Sequence, residues 1–447
     1  MSNKAFSQCS SIFSHMLLRG SHAALFAIII LLNIFGCQSY KSLQVNRSIK
    51  KSPILSRHFV GLCLYNPEIH QFLIERNADL NFTPASNMKI LTAFTSFETF
   101  GDSIPTFRYA VLDDTVVVQP LGDPTFLHPV FKTQPAYNFI STKKKLSIYQ
   151  NGYHLDEFGP GWAWDDFQYD FQPERAWFPI YGNMVRVVKE SDSVKVIPDF
   201  FKDYVHIQYG EKPGNYASRD VKYNLFNVSI NNENEDFARE IPFDYDNELL
   251  LQLLADTLHM EVTTRDSSDL SFDKILYNQS KLDILSYMMQ NSDNFLAEQL
   301  LIEAALINGF EDVDAFRQKK LEEWSIFNKL PIQWHDGSGL SRYNLITPLS
   351  LVKILEQIYL SQDWNTIKRV FPTGGKTGTI KNWYGGDPPF VYAKTGTLSN
   401  NHCLSGYLVT DSGKTLIFSF MNNNYVSNLN KIKEEMDMIL RRIRKIY

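Results

Sequence analysis

Cysteine is scarce in this 447-residue chain: Cys9, Cys37, Cys63 and Cys403 are the only four. No Cys/His cluster has metal-ligand spacing, so neither a metal nor another cofactor is expected. An excess of basic charge is also lacking. The net charge is -5, and nothing in that balance points to a nucleic-acid partner. There is no low-complexity tract and no repeat of solenoid period, which excludes a repeat architecture. The longest apolar stretch near the N-terminus, Ala23 to Phe35, is too short to span a bilayer comfortably.

What is present fits a globular, exported protein. Hydrophobic residues make up 44% and charged residues 21%, enough for a large core, and the length suggests two or three domains. Arg19 followed by the apolar stretch has the charge and hydropathy pattern of a signal peptide over residues 1–36, with Met16 as an alternative start. The stretch ends in Ile34-Phe35-Gly36-Cys37, which resembles a bacterial lipobox, although Phe35 is bulkier than usual at its place. Cys37 is therefore the lipidation candidate, and a lipid anchor would tie the chain to a membrane on the periplasmic side. An uncleaved anchor helix is the alternative. Either way the remainder lies outside the cytoplasm. Cys63 and Cys403 sit in apolar strand-like runs. A buried free thiol is expected for each, while a bridge between them is compatible with export.

The chain reads as sheet at both ends and helix between. "HFVGLCLYNPE" and "QFLIERNADLNF" are strands. Thr83 is expected to cap a buried helix that Pro84 opens and Gly101 ends. Residues 104–265 change texture to strands, turns and an aromatic loop, "GPGWAWDDFQYDFQPERAWFPIYGN", where Trp162 and Trp164 are expected in the core. Helices dominate after 270. The C-terminus then reads strand, turn, strand, helix, with Leu429, Ile432, Met436, Ile439, Leu440 and Ile443 on one helical face. The expected fold class is α+β: an antiparallel sheet from N- and C-terminal strands, helices on both faces, built from residues 37–103 and 266–447. A β-rich module, 104–265, is inserted.

Chemistry-bearing residues recur in three short motifs. S-x-x-K occurs five times, at Ser48, Ser86, Ser141, Ser271 and Ser350, and singly it is a weak signal. Only Ser86 and Ser350 open apolar helices. S-x-N occurs at Ser229, Ser292 and Ser399, and K-T-G at Lys376 and Lys394. The order S-x-x-K, S-D-N, K-T-G selects Ser86, Ser292 and a later K-T-G. Lys394 follows a strand and precedes two more, whereas Lys376 lies in a Gly/Pro-rich loop, so Lys394 is assigned to the site and Lys376 to a structural role. Ser86 would be the nucleophile and Lys89, three residues on, its base. The lysine must be neutral to take a proton, so burial or a nearby cation, Lys394, must depress its pKa. Ser292 would relay a proton to the leaving amine and Asn294 hold the substrate amide. Backbone N–H groups of Ser86 and Thr397 would hold the oxyanion. Lys394 and Thr395, with Gly396 and Thr397, would receive a substrate carboxylate. Glu298 is expected to pack or pair on its helix, Asp336 to fix a turn at Asp336-Gly337 with shaping of the site as the alternative, and His335, one of ten histidines, has no visible partner.

These residues resemble the low-molecular-mass class C penicillin-binding proteins, D-alanyl-D-alanine carboxypeptidases and endopeptidases. "PASNMK" is similar to the nucleophile box, "NSDNFLAEQLL" to the second and "AKTGTL" to the third. "DGSGLSRYNLITP", "LGDPTF" and "GPGWAWDD" are also similar to family segments. Roughly two hundred residues separate Lys89 from Ser292, like the family's large insertion and unlike a class A β-lactamase. The resemblance implies a serine β-lactamase/DD-peptidase-like fold. It also implies cleavage of peptidoglycan stem peptides through an acyl-enzyme, and inhibition by β-lactams. "GGKTGTI" departs from the family's usual pattern, a different sequence without lysine before that Gly-Thr, and the lipobox is not general in it. A β-lactamase or esterase of the same fold, or a wall-peptide-binding lipoprotein without turnover, are the alternatives.

Overall fold

The computed structural model describes residues 40–149, 155–191, 193–210, 215–231, 236–265 and 270–447. The expected signal peptide and Cys37 lie outside them. Residues 40–51 form helix α1. Strands β1 (Phe59–Asn66) and β2 (Gln71–Arg76) follow, then α2 (Lys89–Thr99).

The middle of the chain carries β3 (Ser103–Leu112), β4 (Thr115–Pro120), α3 (Pro135–Ile140), β5 (Lys145–Tyr149), β6 (Met184–Glu190), β7 (Ser193–Ile197) and β8 (Val205–Tyr209). It continues through β9 (Tyr216–Arg219), β10 (Phe226–Ile230), β11 (Phe237–Pro242), α4 (Asn247–Leu258), β12 (Glu261–Arg265) and β13 (Lys274–Ser280). Helices α5 (Lys281–Asn291), α6 (Asn294–Ile307), α7 (Val313–Trp324), α8 (Pro348–Ser361) and α9 (Trp364–Val370) come next. The chain closes with β14 (Val391–Leu398), β15 (Asn401–Val409), β16 (Thr415–Asn423) and α10 (Leu429–Ile446).

The principal sheet has the order β14-β15-β16-β1-β2, all antiparallel, so the first strands of the chain pair with the last. Strand periodicity then decides what each face covers. On β1, Cys63 and Tyr65 face a core shared with α2, α5, α6 and α8, while Leu62 and Leu64 face α1 and α10. Both faces are buried, which is why "FVGLCLYN" is apolar nearly throughout. On α10 the buried residues are Ile432, Met436, Ile439, Leu440 and Ile443, the stripe legible in the sequence. No helix among the described residues is long and apolar enough to cross a membrane.

The middle segment folds around its own core. Phe107, Phe126 and Phe178 meet edge to face there, with ring centroids 5.1 to 5.6 Å apart. Its strands form a five-stranded sheet, β12-β5-β4-β3-β13, and two three-stranded ones. Strand β13 lies beyond the 265/266 boundary read from sequence texture, yet it pairs with β3. The module's sheet therefore reaches Ser280, where the backbone passes directly into α5.

Two local expectations are corrected. Thr83 caps no helix. A single 3-10 turn, Ala85–Met88, precedes α2, and no side chain caps it. Trp164 is not core but 79% exposed, and Trp162 is half-buried and outside the module's hydrophobic core.

Cys63 and Cys403 are both free and buried. They lie on strands separated by β16, with Cys63 opposite Ser419 and Cys403 opposite Met421. Two strand spacings amount to about 9–10 Å, beyond the roughly 7 Å that a disulfide spans. Burial, with Glu75, pushes the Cys63 thiol far up, and burial pushes Cys403 up to about 12. Iodoacetamide at mild alkaline pH is expected to spare both cysteines in the folded protein and label both in denaturant. Peptide mapping checks this, and a Cys63–Cys403 cross-linked peptide would contradict it.

Candidate active site

Ser86 sits in the 3-10 turn, half-buried, where the chain turns into α2. The turn is held from two sides by glycines. Gly396 on β14 lies so close that a Cβ there would come 2.3 Å from the Pro84 carbonyl and 2.9 Å from the Ser86 nitrogen. Gly339, at φ +84°, would place a Cβ 1.9 Å from the Ala85 carbonyl. Ala85 itself is in the left-handed region, at φ +48°. Asn87 anchors the turn to the sheet by donating from Nδ2 to the Lys394 carbonyl at 3.0 Å.

Lys89 is the first residue of α2 and fully buried. Its Nζ reaches three oxygens: Asn294 Oδ1 at 2.5 Å, the Ser338 carbonyl at 2.8 Å and Ser86 Oγ at 3.1 Å. Burial lowers its pKa to about 8, against Asp336, Asp293 and Glu298, which pull the other way. A neutral amine has two N–H bonds and one lone pair. Asn294 Oδ1 and the Ser338 carbonyl are acceptors only and take both hydrogens. The lone pair is then left for the Ser86 hydroxyl.

The S-D-N segment is the joint between α5 and α6. Ser292 ends α5 in a left-handed conformation at φ 60°, and Asp293 caps α6 by accepting from the Leu296 N–H. This short reversal presents Ser292 and Asn294 together. Asn294 Nδ2 donates to the Phe171 carbonyl at 2.7 Å, which sets the amide so that its oxygen faces Lys89. Lys394, fully buried on β14, donates to Ser292 Oγ and to the Thr395 carbonyl, each at 2.8 Å. Its pKa is lowered well below the usual lysine range by burial and then by Lys89. The expectation that Lys394 is the cation depressing Lys89 is therefore revised: burial is the cause for Lys89, and Lys394 is itself driven towards neutrality. Thr395 is buried, Gly396 faces the Ser86 turn and Thr397 is exposed. The structure thus brings Ser86, Lys89, Ser292, Asn294, Lys394 and the K-T-G-T strand to one place.

Lys376 is not among them. It is exposed, in a loop closed by main-chain bonds from Gly375 to Ile380 and Trp383. The second threonine after it does reach the site, with Thr379 Oγ1 2.7 Å from Thr395 Oγ1.

The turn expected at Asp336-Gly337 extends through residues 336–341 and backs the site, the alternative role for Asp336. The buried Asp336 carboxylate accepts from the Gly339 and Ser341 N–H groups, from Asn344 Nδ2 and from Trp162 Nε1, at 2.6 to 2.9 Å. Thr92 Oγ1 on α2 donates to the Gly337 carbonyl at 2.6 Å. Together these aim the Ser338 carbonyl at Lys89. Glu298 is committed here too, its Oε1 accepting from the Ser338 N–H at 2.7 Å, with Arg175 3.9 Å from Oε2. His335 contributes packing, edge-on to Tyr343.

A serine paired with a buried lysine, beside a Ser/Asn turn and a lysine-bearing edge strand, defines an active-serine enzyme of the acyl-transfer type. The chain belongs to the D-Ala-D-Ala carboxypeptidase 3 (S13) family, whose model matches residues 42–443. It is 25% identical over 460 residues to the D-alanyl-D-alanine carboxypeptidase DacB of Haemophilus influenzae, covering 88% of this chain and 90% of that protein. It is 23% identical to the penicillin-sensitive carboxypeptidase A of Dictyostelium discoideum, covering 84% and 85%. Among solved structures it overlaps penicillin-binding protein 4 of Haemophilus influenzae with a TM-score of 0.68 at 20% identity, over 90% of this chain and 99% of that one. It also overlaps a predatory peptidoglycan endopeptidase of Bdellovibrio bacteriovorus, with a TM-score of 0.53 at 14% identity, over 87% and 92%. The α+β fold of the DD-peptidases is thereby shown.

Gly339→Ala tests the backing of the Ser86 turn. The new methyl must push the Ala85 carbonyl aside and sit at a positive φ. The variant is expected to lose about 1–3 kcal/mol of stability. It should also lose roughly a hundredfold in acylation rate, because the nucleophile shifts. Thermal melting and stopped-flow acylation check the two effects separately.

Proposed function

We propose that this enzyme cleaves the D-Ala-D-Ala end of peptidoglycan stem peptides, and is acylated by β-lactams, through Ser86. The observation that carries the reading is the buried Lys89 Nζ, held by two acceptor-only oxygens and 3.1 Å from Ser86 Oγ, so that loss of its third proton would turn a lone pair towards Ser86. Family membership supports the same reaction class.

The steps follow from the geometry. Lys89 takes the Ser86 proton as Oγ attacks the carbonyl carbon of the penultimate D-Ala. The oxyanion is held by the N–H groups of Ser86 and Thr397. The C–N bond breaks, and the proton that Lys89 took from Ser86 passes to the departing amine with Ser292 Oγ as the relay, which leaves Lys89 neutral again. Thr395 and Thr397 hold the terminal carboxylate, and Asn294 orients the acyl side while fixing Lys89. Water then releases the acyl group from Ser86. The Lys376 loop supports Thr395 through Thr379 and supplies no cation to the reaction. Export behind residues 1–36, with lipidation at Cys37, would place the enzyme at the wall within reach of a membrane tether. Residues 37–103 and 266–447 would form the catalytic unit, and the module its inserted wall.

Intact-mass analysis after incubation with benzylpenicillin is expected to show one adduct, mapped to Ser86 and absent in Ser86→Ala. Consumption of penicillin without an adduct would mark a β-lactamase. Intact penicillin with no adduct would mark a binder without turnover. Acylation should speed up as pH rises through about 8, because only the deprotonated Lys89 accepts a proton. A rate that is flat or falls across that window would exclude Lys89 as the base. The two K-T-G motifs are separated by substitution. Lys394→Ala is expected to cost roughly a hundredfold or more in acylation, and Lys376→Ala no more than about twofold.

A further inference from the structure

The strand edge that carries Thr397 has a histidine beneath it. His402, on β15, is the register partner of Thr397 on β14. Its ring is fully buried, and Nδ1 lies 2.8 Å from Thr397 Oγ1. Nε2 is buried with no hydrogen-bond partner among the described residues. Burial, and then the Lys433 ammonium, lower the imidazole to about 3, so it is neutral across the physiological range.

A neutral imidazole has one N–H and one bare nitrogen. Were the proton on Nε2, a donor would be orphaned in the core, and buried N–H groups without partners are rare. The unpartnered nitrogen is therefore the bare one, and the proton is on Nδ1, donating to Thr397 Oγ1. That bond occupies a lone pair of the hydroxyl from the buried side. The exposed threonine must then direct its own O–H away from the imidazole, on the solvent side of the strand.

The geometry points to His402 as a positioning residue that makes the Thr397 hydroxyl a committed donor to the anionic terminus of the substrate. The inference rests on the peptidase reading above and deepens it. A carboxylate only accepts hydrogen bonds. A hydroxyl free to rotate can spend its hydrogen on an inward acceptor, whereas one held from behind by a donor keeps its hydrogen on the outer side, where the carboxylate can take it. The device favours ligands ending in a carboxylate and offers less to the same ligand with that charge masked.

Benzylpenicillin and its methyl ester are the probes, with acylation rate constants followed by intact mass. His402→Leu removes the donor at similar volume. His402→Gln carries its amide one carbon further out, and His402→Asn puts an amide N–H where Nδ1–H was. Leu and Gln are expected to lose roughly tenfold with penicillin, about the worth of one hydrogen bond to a charged group, and far less with the ester. Asn should recover most of the loss. In a Thr397→Val background none of the three should cost more than Thr397→Val alone. Equal losses on acid and ester, or losses that persist without the Thr397 hydroxyl, would overturn the role of His402. The Asn and Gln pair keeps the test decisive should Leu fail to fold. If the wild type forms no Ser86 adduct, the peptidase reading falls first and this one with it.

Discussion

An amine taken wholly out of water is the constraint on which this site depends. Lys89 has no solvent to turn to, so each of its bonds must come from the protein. They come from three places distant in sequence: the S-D-N joint, the 336–341 segment and the 3-10 turn of Ser86. The same burial that makes the group costly makes it useful, because it lowers the affinity for a proton towards the working range. Asp336, Asp293 and Glu298 keep that lowering from going further. Lys394 has fewer opposing charges and is driven lower, so the two lysines do not both stay charged.

The inserted module is tied to this chemistry rather than hung beside it. Its aromatic loop gives a main-chain carbonyl, at Phe171, to the Asn294 amide, and the Trp162 indole to Asp336. Gln299 on α6 exchanges two bonds with the backbone of Ala176. The bond from Phe171 decides which end of the Asn294 amide meets Lys89. The module therefore settles the orientation of an atom in contact with the base, and does so through a backbone oxygen.

The parts of the fold legible in the sequence were those where a side chain's own preference decides. The α10 stripe follows from period alone, and the Thr347-Pro348 pair that opens α8 acts just as locally, with Thr347 Oγ1 accepting from the Ser350 N–H. Ser86, Lys89, Ser292, Asn294 and Lys394 stood out because the chemistry needs those side chains in that order. Where tertiary contact decides, the reading failed. Thr83 has the composition of a cap, but the turn beyond it is shaped by Gly339 and Gly396 pressing from other elements. β13 falls outside the module boundary drawn from texture, since its partner β3 lies far back in sequence. Trp164 carries no local sign of its exposure. His402 is one histidine among ten until the register sets it against Thr397.

Several of the contacts that shape the site end on backbone oxygens: Ser338 for Lys89, Phe171 for Asn294, Thr395 for Lys394 and Lys394 for Asn87. A carbonyl belongs to every amino acid, so the identity of the residue supplying it is free to drift while its position is not. A family can then diverge widely in letters and still hold the same oxygens in the same places. Truncating the side chains of Ser338 or Phe171 one at a time would leave these oxygens in the molecule. What such a site inherits is a path of the chain, and changes in loop length or backbone freedom reach it where changes of side chain do not.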